Sequence, residues 1–392
     1  MNKFKIPFSG RNQSYDMDDV KCVTDIMMSK NTLTQGKQLK NFEKKFENFV
    51  KSKNCFAVSS ATAALEIIAQ LCNLKKGDEV VIPSHTYTSS AYPFIRYGAK
   101  IVWCDIDITT RVISPETINK CISNKTRVIV VPHLYGYCAD MPKIVNIAKK
   151  NKIIVVEDAA QAIGSVLNKK FAGTFGDFGV FSFHSHKNIS TLGEGGMLYV
   201  KSNKQAQLIQ MLRHNGHCNF SFKRKYYWKP AMGNLDLPSL EGNAMLPNNF
   251  CITEAQCALG SKQLKKVKKL NKKKRDRANF FIDSLRSYQN LVFHKVTSQR
   301  HNYHLLCAMD LSGKRDKFIY EMASNKKIQC VVQYYPLNRY PLYKKLGFSK
   351  AKCPNADRFF DNMISFPFQE TLTDDEINQI LESTKEVLKK IS

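Results

Sequence analysis

Long apolar runs are missing from this 392-residue chain: nothing approaches the roughly 18 consecutive apolar residues of a membrane-spanning helix. The first residues, Met1 to Tyr15, are polar and lack the apolar core of a secretory signal. Both absences argue against a membrane or exported protein and set the expectation of a cytoplasmic one. Paired cysteine motifs are also lacking. The 12 cysteines are scattered, with no C-x-x-C and no His/Cys cluster at zinc spacing, so no metal site is expected. They read as small buried residues and free thiols. Internal repeats and low-complexity linkers are missing too. Acidic residues are few, 33 Asp and Glu against 60 Lys and Arg, for a formal net charge of +27.

Such an excess raises three partner classes: nucleic acid, an anionic membrane surface and a phosphorylated substrate. It also fits a Lys-rich composition spread over a solvated surface, because lysines recur throughout, often paired as in Lys75-Lys76 and Lys149-Lys150. The densest run, Lys262 to Arg277, has eight Lys and two Arg with Leu264, Val267 and Leu270 at helical spacing. That pattern reads as the wet side of a helix whose apolar stripe packs on the protein, with no nucleic-acid or membrane partner expected. Hydrophobic residues at 43% and charged residues at 24% are ordinary for a folded chain, and the length suits two to three folding units.

From about Asp16 to Asn203 helical and strand signals alternate. Short Val- and Ile-rich runs at 54–58, 79–83, 99–104, 127–131, 153–157, 177–184 and 196–200 predict strands. Helical spacing at 20–28 and 39–50 precedes them, and at 62–72, 90–97, 114–122 and 141–150 it falls between them. The alternation predicts an α/β fold, a large, mostly parallel sheet covered by helices on both faces. A long helix follows from Thr253 to Leu285. The remainder predicts a smaller α+β unit with strands at 304–309 and 329–333, and a last helix from Asp374 capped by Thr373.

Three segments place reactive side chains at the carboxyl ends of predicted strands, the edge where open α/β sheets bind ligands. Ser59-Ser60-Ala61-Thr62 opens a helix with small and hydroxyl residues, suited to a phosphate or simply to capping. Val155-Val156-Glu157-Asp158 ends a strand in two carboxylates that alternation points to opposite sides. Asp158 there would either hold a protonated ring nitrogen or cap the next helix. Phe181-Ser182-Phe183-His184-Ser185-His186-Lys187-Asn188, followed by Gly193-Glu194-Gly195-Gly196, sets a lysine in a crowded segment. Partial burial would lower its pKa, as an amine nucleophile requires.

Together these segments resemble the DegT-type (DegT/DnrJ/StrS) nucleotide-sugar aminotransferases, which have the aspartate-aminotransferase fold. The likeness runs almost end to end, from Leu33-Thr34-Gln35-Gly36 through Pro132-His133-Leu134-Tyr135-Gly136 and Glu157-Asp158-Ala159-Ala160-Gln161 to Ser365-Phe366-Pro367. The strand leading to Lys187, with its Gly-Glu-Gly-Gly, is the most specific part. The resemblance implies a fold-type I pyridoxal-phosphate enzyme divided into a large domain (1–250), a connecting helix and linker (251–302) and a small α+β domain (303–392).

It implies roles position by position. Lys187 would be the Schiff-base lysine and proton carrier, and Asp158 would pair with the pyridinium nitrogen. Tyr87 would stack on the ring, and Gln161 would lie on its phenolic oxygen side. Ala61, Thr62 and Ser182 would hold the phosphate, joined by Asn249 from the neighbouring subunit of a homodimer. His184, Gln333 and Tyr335 would face the substrate, a nucleotide-linked keto-deoxysugar, with L-glutamate as amino donor and an amino sugar for glycans as product. Related sugar dehydratases typically carry His in place of the lysine, so Lys187 argues against that alternative. A non-catalytic regulator has no need of Lys187, Asp158 and Ser182 together. The chain departs from the family pattern at Ala61, Cys251, Gln333 and Asn338, and in a longer loop from His217 to Leu246 around Trp228.

Overall fold

Seven short apolar runs assemble into one sheet: β1 (Cys55–Val58), β2 (Glu79–Pro83), β3 (Lys100–Cys104), β4 (Thr126–Pro132), β5 (Ile154–Asp158), β6 (Phe178–Ser182) and β7 (Gly196–Val200). This computed structural model describes residues 4–218 apart from 10 and 13, residues 234, 235, 237, 239 and 240, and residues 244–391. Trp228 and most of its loop lie outside the described residues. The spatial order is β1-β7-β6-β5-β4-β2-β3. Neighbours run parallel except at β7, which opposes both β1 and β6. The sheet is mostly parallel, as expected, with β7 as its antiparallel member: no crossover helix lies between β6 and β7, and their connection is the loop that carries Lys187. Strands β2, β6 and β7 are buried along their whole length, which is why they read as unbroken apolar runs.

Helix α1 (Met17–Met28) precedes α2 (Lys37–Val50), which buries Leu39, Phe42, Phe46 and Val50 on one face. Phe46 meets Phe181 of β6 at 4.9 Å between ring centroids, and Phe42 meets Phe183 at 5.4 Å. This aromatic layer supports the segment that leads to Lys187. Helix α3 (Ala61–Leu71) follows β1, and α4 (Met141–Lys150) lies between β4 and β5.

The long helix α5 (Glu254–Ser284) starts in a capping box between Thr253 and Gln256. Its one glycine has a packing cause, since a Cβ at Gly260 would stand 2.6 Å from the Phe42 ring. Along the basic run, Lys266 pairs with Asp16 and Asp19, Lys272 with Asp276, Lys273 with Glu370 and Arg277 with Asp374. Lys274 is instead buried, donating to the carbonyls of His304 (3.0 Å) and Phe368 (2.9 Å).

Burial drops the Lys274 pKa to about 7, well below the roughly 10.4 of a free lysine. Between those two values the unfolded chain carries a proton that the folded one does not, so this residue makes stability rise with pH. Urea unfolding of the wild type and Lys274→Met at pH values across that window should show the wild type gaining on the variant by up to about 1.4 kcal/mol per pH unit. A constant difference would mean that Lys274 does not titrate there.

A second sheet is antiparallel: β8 (Leu291–Phe293), β9 (Leu306–Asp310) and β10 (Met363–Phe366). Helices α6 (Arg315–Ser324) and α7 (Asp374–Ile391) bury Phe318, Met322, Ile377 and Ile380 in the core that this sheet shares with Phe281 and Ile282 of α5. Thr373 and Glu376 cap α7 reciprocally. The expected strand at 329–333 does not form. Ile328 bridges Ile6 and Val331 bridges Ser365, so the segment changes partners every few residues and no ladder propagates.

Candidate active site

The carboxyl ends of β4, β5 and β6 open into a cavity of about 650 Å³. Ala61, Thr62, Tyr87, Asp158, Gln161, Ser182, His184, Lys187 and Gln333 all line it. Tyr335 and Asn249 do not.

One wall is the start of α3. Ser60 is extended and its Oγ accepts the Ala63 N–H at 3.0 Å, leaving Ala61 and Thr62 as the first helical residues facing the cavity. Thr62 Oγ1 donates to Ser89 Oγ at 3.0 Å. The turn packs on Gly196 of β7, where a Cβ would stand 2.4 Å from the Ser60 carbonyl carbon. Only glycine lets β7 pass so close.

Across the cavity, β5 ends with its carboxylates divided as alternation requires. Glu157 is buried beneath the sheet edge, accepting backbone N–H groups from Gly173, Phe175 and Gly176 and meeting His133 Nε2 at 2.8 Å. Asp158 faces the cavity. Its Oδ2 accepts the Ser90 hydroxyl at 2.7 Å and its Oδ1 the Ala160 N–H at 3.1 Å, so both oxygens are oriented.

Lys187 sits in the tight turn after β6. Its N–H donates to the His184 carbonyl, and Phe183 and Ser185 bond back to Gly195 and Gly193. Gly193 and Gly195 have φ of +100° and +148°, a region side chains rarely enter. Burial lowers the Lys187 pKa to about 8, and the Asp158 charge partly opposes that drop. Ser182 Oγ accepts the His184 N–H. His184 Nδ1 accepts the His186 N–H, which spends that nitrogen inside the loop.

Gln161 is held at both ends: Oε1 accepts the Tyr135 N–H at 2.6 Å, and Nε2 donates to the Tyr334 hydroxyl at 2.8 Å. Tyr334, which the sequence did not single out, enters the cavity and meets the Tyr87 ring edge-on at 6.1 Å. Its neighbour Tyr335 turns outward onto Tyr340 and Phe360. Gln333 lines the cavity while its carbonyl accepts the Tyr135 hydroxyl. Asn249 is exposed, its Oδ1 accepting the Cys251 N–H. Ser90, Asn12 and His304 also escaped sequence reading. Ser90 and Asn12 are isolated polar residues without a local motif, and His304 opens an apolar run that reads only as a strand. Among the described residues no group of three or more His, Cys, Asp or Glu side chains could hold a metal ion, and no helix is long and apolar enough to cross a membrane.

Comparison with known proteins points the same way. A Vibrio cholerae GDP-perosamine synthase is 29% identical over 95% of this chain and 96% of its own. Bacillus subtilis spore coat polysaccharide biosynthesis protein SpsC is 28% identical over 98% and 97%. Among solved structures, the putative sugar aminotransferase Spr1654 of Streptococcus pneumoniae in its PMP form superposes with a TM-score of 0.87 at 26% identity, covering 98% of this chain and 100% of that one. The model of the DegT/DnrJ/EryC1/StrS aminotransferase family matches residues 13–385. With that match spanning almost its whole length, the chain belongs to the DegT/DnrJ/EryC1/StrS aminotransferase family.

Proposed function

We propose that this protein is a pyridoxal-phosphate-dependent sugar aminotransferase, moving an amino group from L-glutamate to the keto group of a nucleotide-linked keto-deoxysugar. The product is an amino sugar for glycan biosynthesis. The observation that carries this reading is one cavity holding a pKa-lowered Lys187 together with an oriented Asp158. The residues present fit the cofactor: a helix start for its phosphate, a carboxylate for its ring nitrogen, an aromatic for its face and an amine for its aldehyde. When bound, the pyridoxal ring supplies an electron sink to the carbon that exchanges nitrogen.

The protein's own groups do the rest. At pH 7 a Lys187 with a pKa of about 8 offers roughly 300-fold more neutral amine than an ordinary lysine. Lys187 Nζ is the group that takes up and returns the substrate proton. Asp158, fixed by Ser90 and Ala160, holds a proton on the ring nitrogen. The N–H groups of Ala61 and Thr62 and the Ser182 hydroxyl face the phosphate. Tyr87 covers the ring and Gln161 reaches its oxygen side. His184 and Gln333 meet the sugar, with Tyr335 at the rim. Asn249, exposed on one chain, completes the cavity of a second in a homodimer. The domain division at 250 and 302 and a cytoplasmic location belong to the same reading. The solved Spr1654 structures described as its PLP and PMP forms lend support from a relative.

The test is the absorption spectrum of purified protein before and after excess L-glutamate. A visible band that falls as a near-ultraviolet band rises is the expected result, after which a panel of nucleotide-linked ketosugars identifies the acceptor. A protein that stays colourless with added pyridoxal phosphate would overturn the proposal.

A further inference from the structure

Behind Lys187 runs a chain of buried amides whose polarity is set from both ends. At one end, Asn271 on α5 donates from Nδ2 to the Ile163 carbonyl at 2.8 Å; a carbonyl only accepts, so that atom is the nitrogen. Its Oδ1 then accepts Asn188 Nδ2 at 2.9 Å, which leaves Asn188 Oδ1 at the far side. At the other end, the Glu370 N–H donates to Asn12 Oδ1 at 2.9 Å; a backbone N–H only donates, so that atom is the oxygen. Asn12 Nδ2 then donates to Asn188 Oδ1 at 3.3 Å. Two independent backbone anchors thus make Asn188 Oδ1 an acceptor.

His304 Nδ1 lies 3.2 Å from that same oxygen. Facing an acceptor, Nδ1 must carry the proton, and in a neutral ring Nε2 then keeps its lone pair. His304 is 3% exposed, lines the cavity with Lys187, and has its backbone clamped by Asn302 Oδ1 on its N–H and Lys274 on its carbonyl. Burial and the neighbouring Lys187, Lys274, His186 and His301 all disfavour a second proton on it.

We propose that His304 is a positioning residue for Lys187: its neutral, Nδ1-protonated ring offers the Nε2 lone pair to the lysine nitrogen. The inference rests on Lys187 being the reactive amine. A charged or flipped imidazole would present an N–H there and push the ammonium away. Asn188, Asn271 and Asn12 serve to impose one tautomer, which explains why three amides are buried together in a protein interior.

Two measurements test this. In cofactor-free protein labelled with ¹⁵N-histidine, the resonance that disappears in His304→Gln should show a neutral ring protonated on Nδ1 throughout about pH 6 to 8. An Nε2-protonated or doubly protonated ring in that range overturns the proposal. The second is the rate of pyridoxal phosphate uptake by the cofactor-free protein against pH, followed by visible absorption. The wild-type midpoint is expected at about 8. Because an ammonium makes the stronger hydrogen bond, loss of the acceptor in His304→Phe should lower the midpoint by about one pH unit, a tenfold change. His304→Gln, which keeps an acceptor and a hydrophilic shape, should recover most of that shift. A midpoint unchanged or raised in both variants overturns the positioning role. A wild type that takes up no pyridoxal phosphate would defeat the proposed function, and the histidine spectrum would still report the tautomer.

Discussion

Replacing Lys187 with alanine is expected to reduce turnover by at least about 10³- to 10⁴-fold while leaving the protein folded. The side chain lines the cavity, and removing an ammonium from a place that disfavours its charge carries little penalty for folding. What is lost, on the proposed function, is the Lys187 amine that takes up and returns a proton. A small amine such as methylamine, added in solution, should restore a fraction of the rate, because the variant leaves room at the missing group. Steady-state assay with L-glutamate and an acceptor ketosugar, alongside circular dichroism, separates lost chemistry from lost structure. A folded variant within tenfold of wild-type turnover would remove Lys187 from the reaction.

The second large effect is expected at Asp158. Asparagine in its place keeps the size but not the charge, and removing one preorganised electrostatic partner costs on the order of 10²- to 10³-fold in rate. The Ser90 hydroxyl and Ala160 N–H would remain, both aimed at a group that no longer carries charge. A second consequence separates this role from a general structural defect. The Asp158 charge opposes the burial effect on Lys187, so Asp158→Asn should drive the Lys187 pKa further below about 8. The pH profile of pyridoxal phosphate uptake would then move to lower pH, in the same sense as His304→Phe. A rate loss with an unmoved profile would mean that Asp158 acts on the cofactor alone, and full activity in the variant would dismiss its role altogether.

Much of this site was readable from local chemistry. Asp158 and Lys187 stand next to short apolar runs, and a strand that ends in a charged residue delivers it to a sheet edge whatever the rest of the chain does. The opposite fates of Glu157 and Asp158 follow from a period of two. The burial of Lys274 was not anticipated, although it has a local cause. Leu264 and Val267 begin a helical stripe that continues through Asn271, Lys274 and Ala278, all buried. The expectation of a wholly wet run fails at Lys274, which lies on that buried stripe while the other cations of the run stay partly or fully exposed.

By itself, then, the sequence determined the strands of the large sheet and the helices between them, the α/β class, the family and the cavity residues carried on short motifs, because each depends on periodicity or on neighbours a few positions away. Tertiary structure decided the rest. Whether Tyr334 or Tyr335 faces the cavity depends on how the 328–337 segment is tethered to Ile6 and Ser365, hundreds or tens of residues distant. Ser90 gains meaning only beside Asp158, and Asn12 only beside Asn188 and Glu370. The tautomer of His304 is further removed still, set through two amides by the carbonyl of Ile163. A hydrogen bond has a direction, and that direction passes from one side chain to the next only where folding has brought them within about 3 Å.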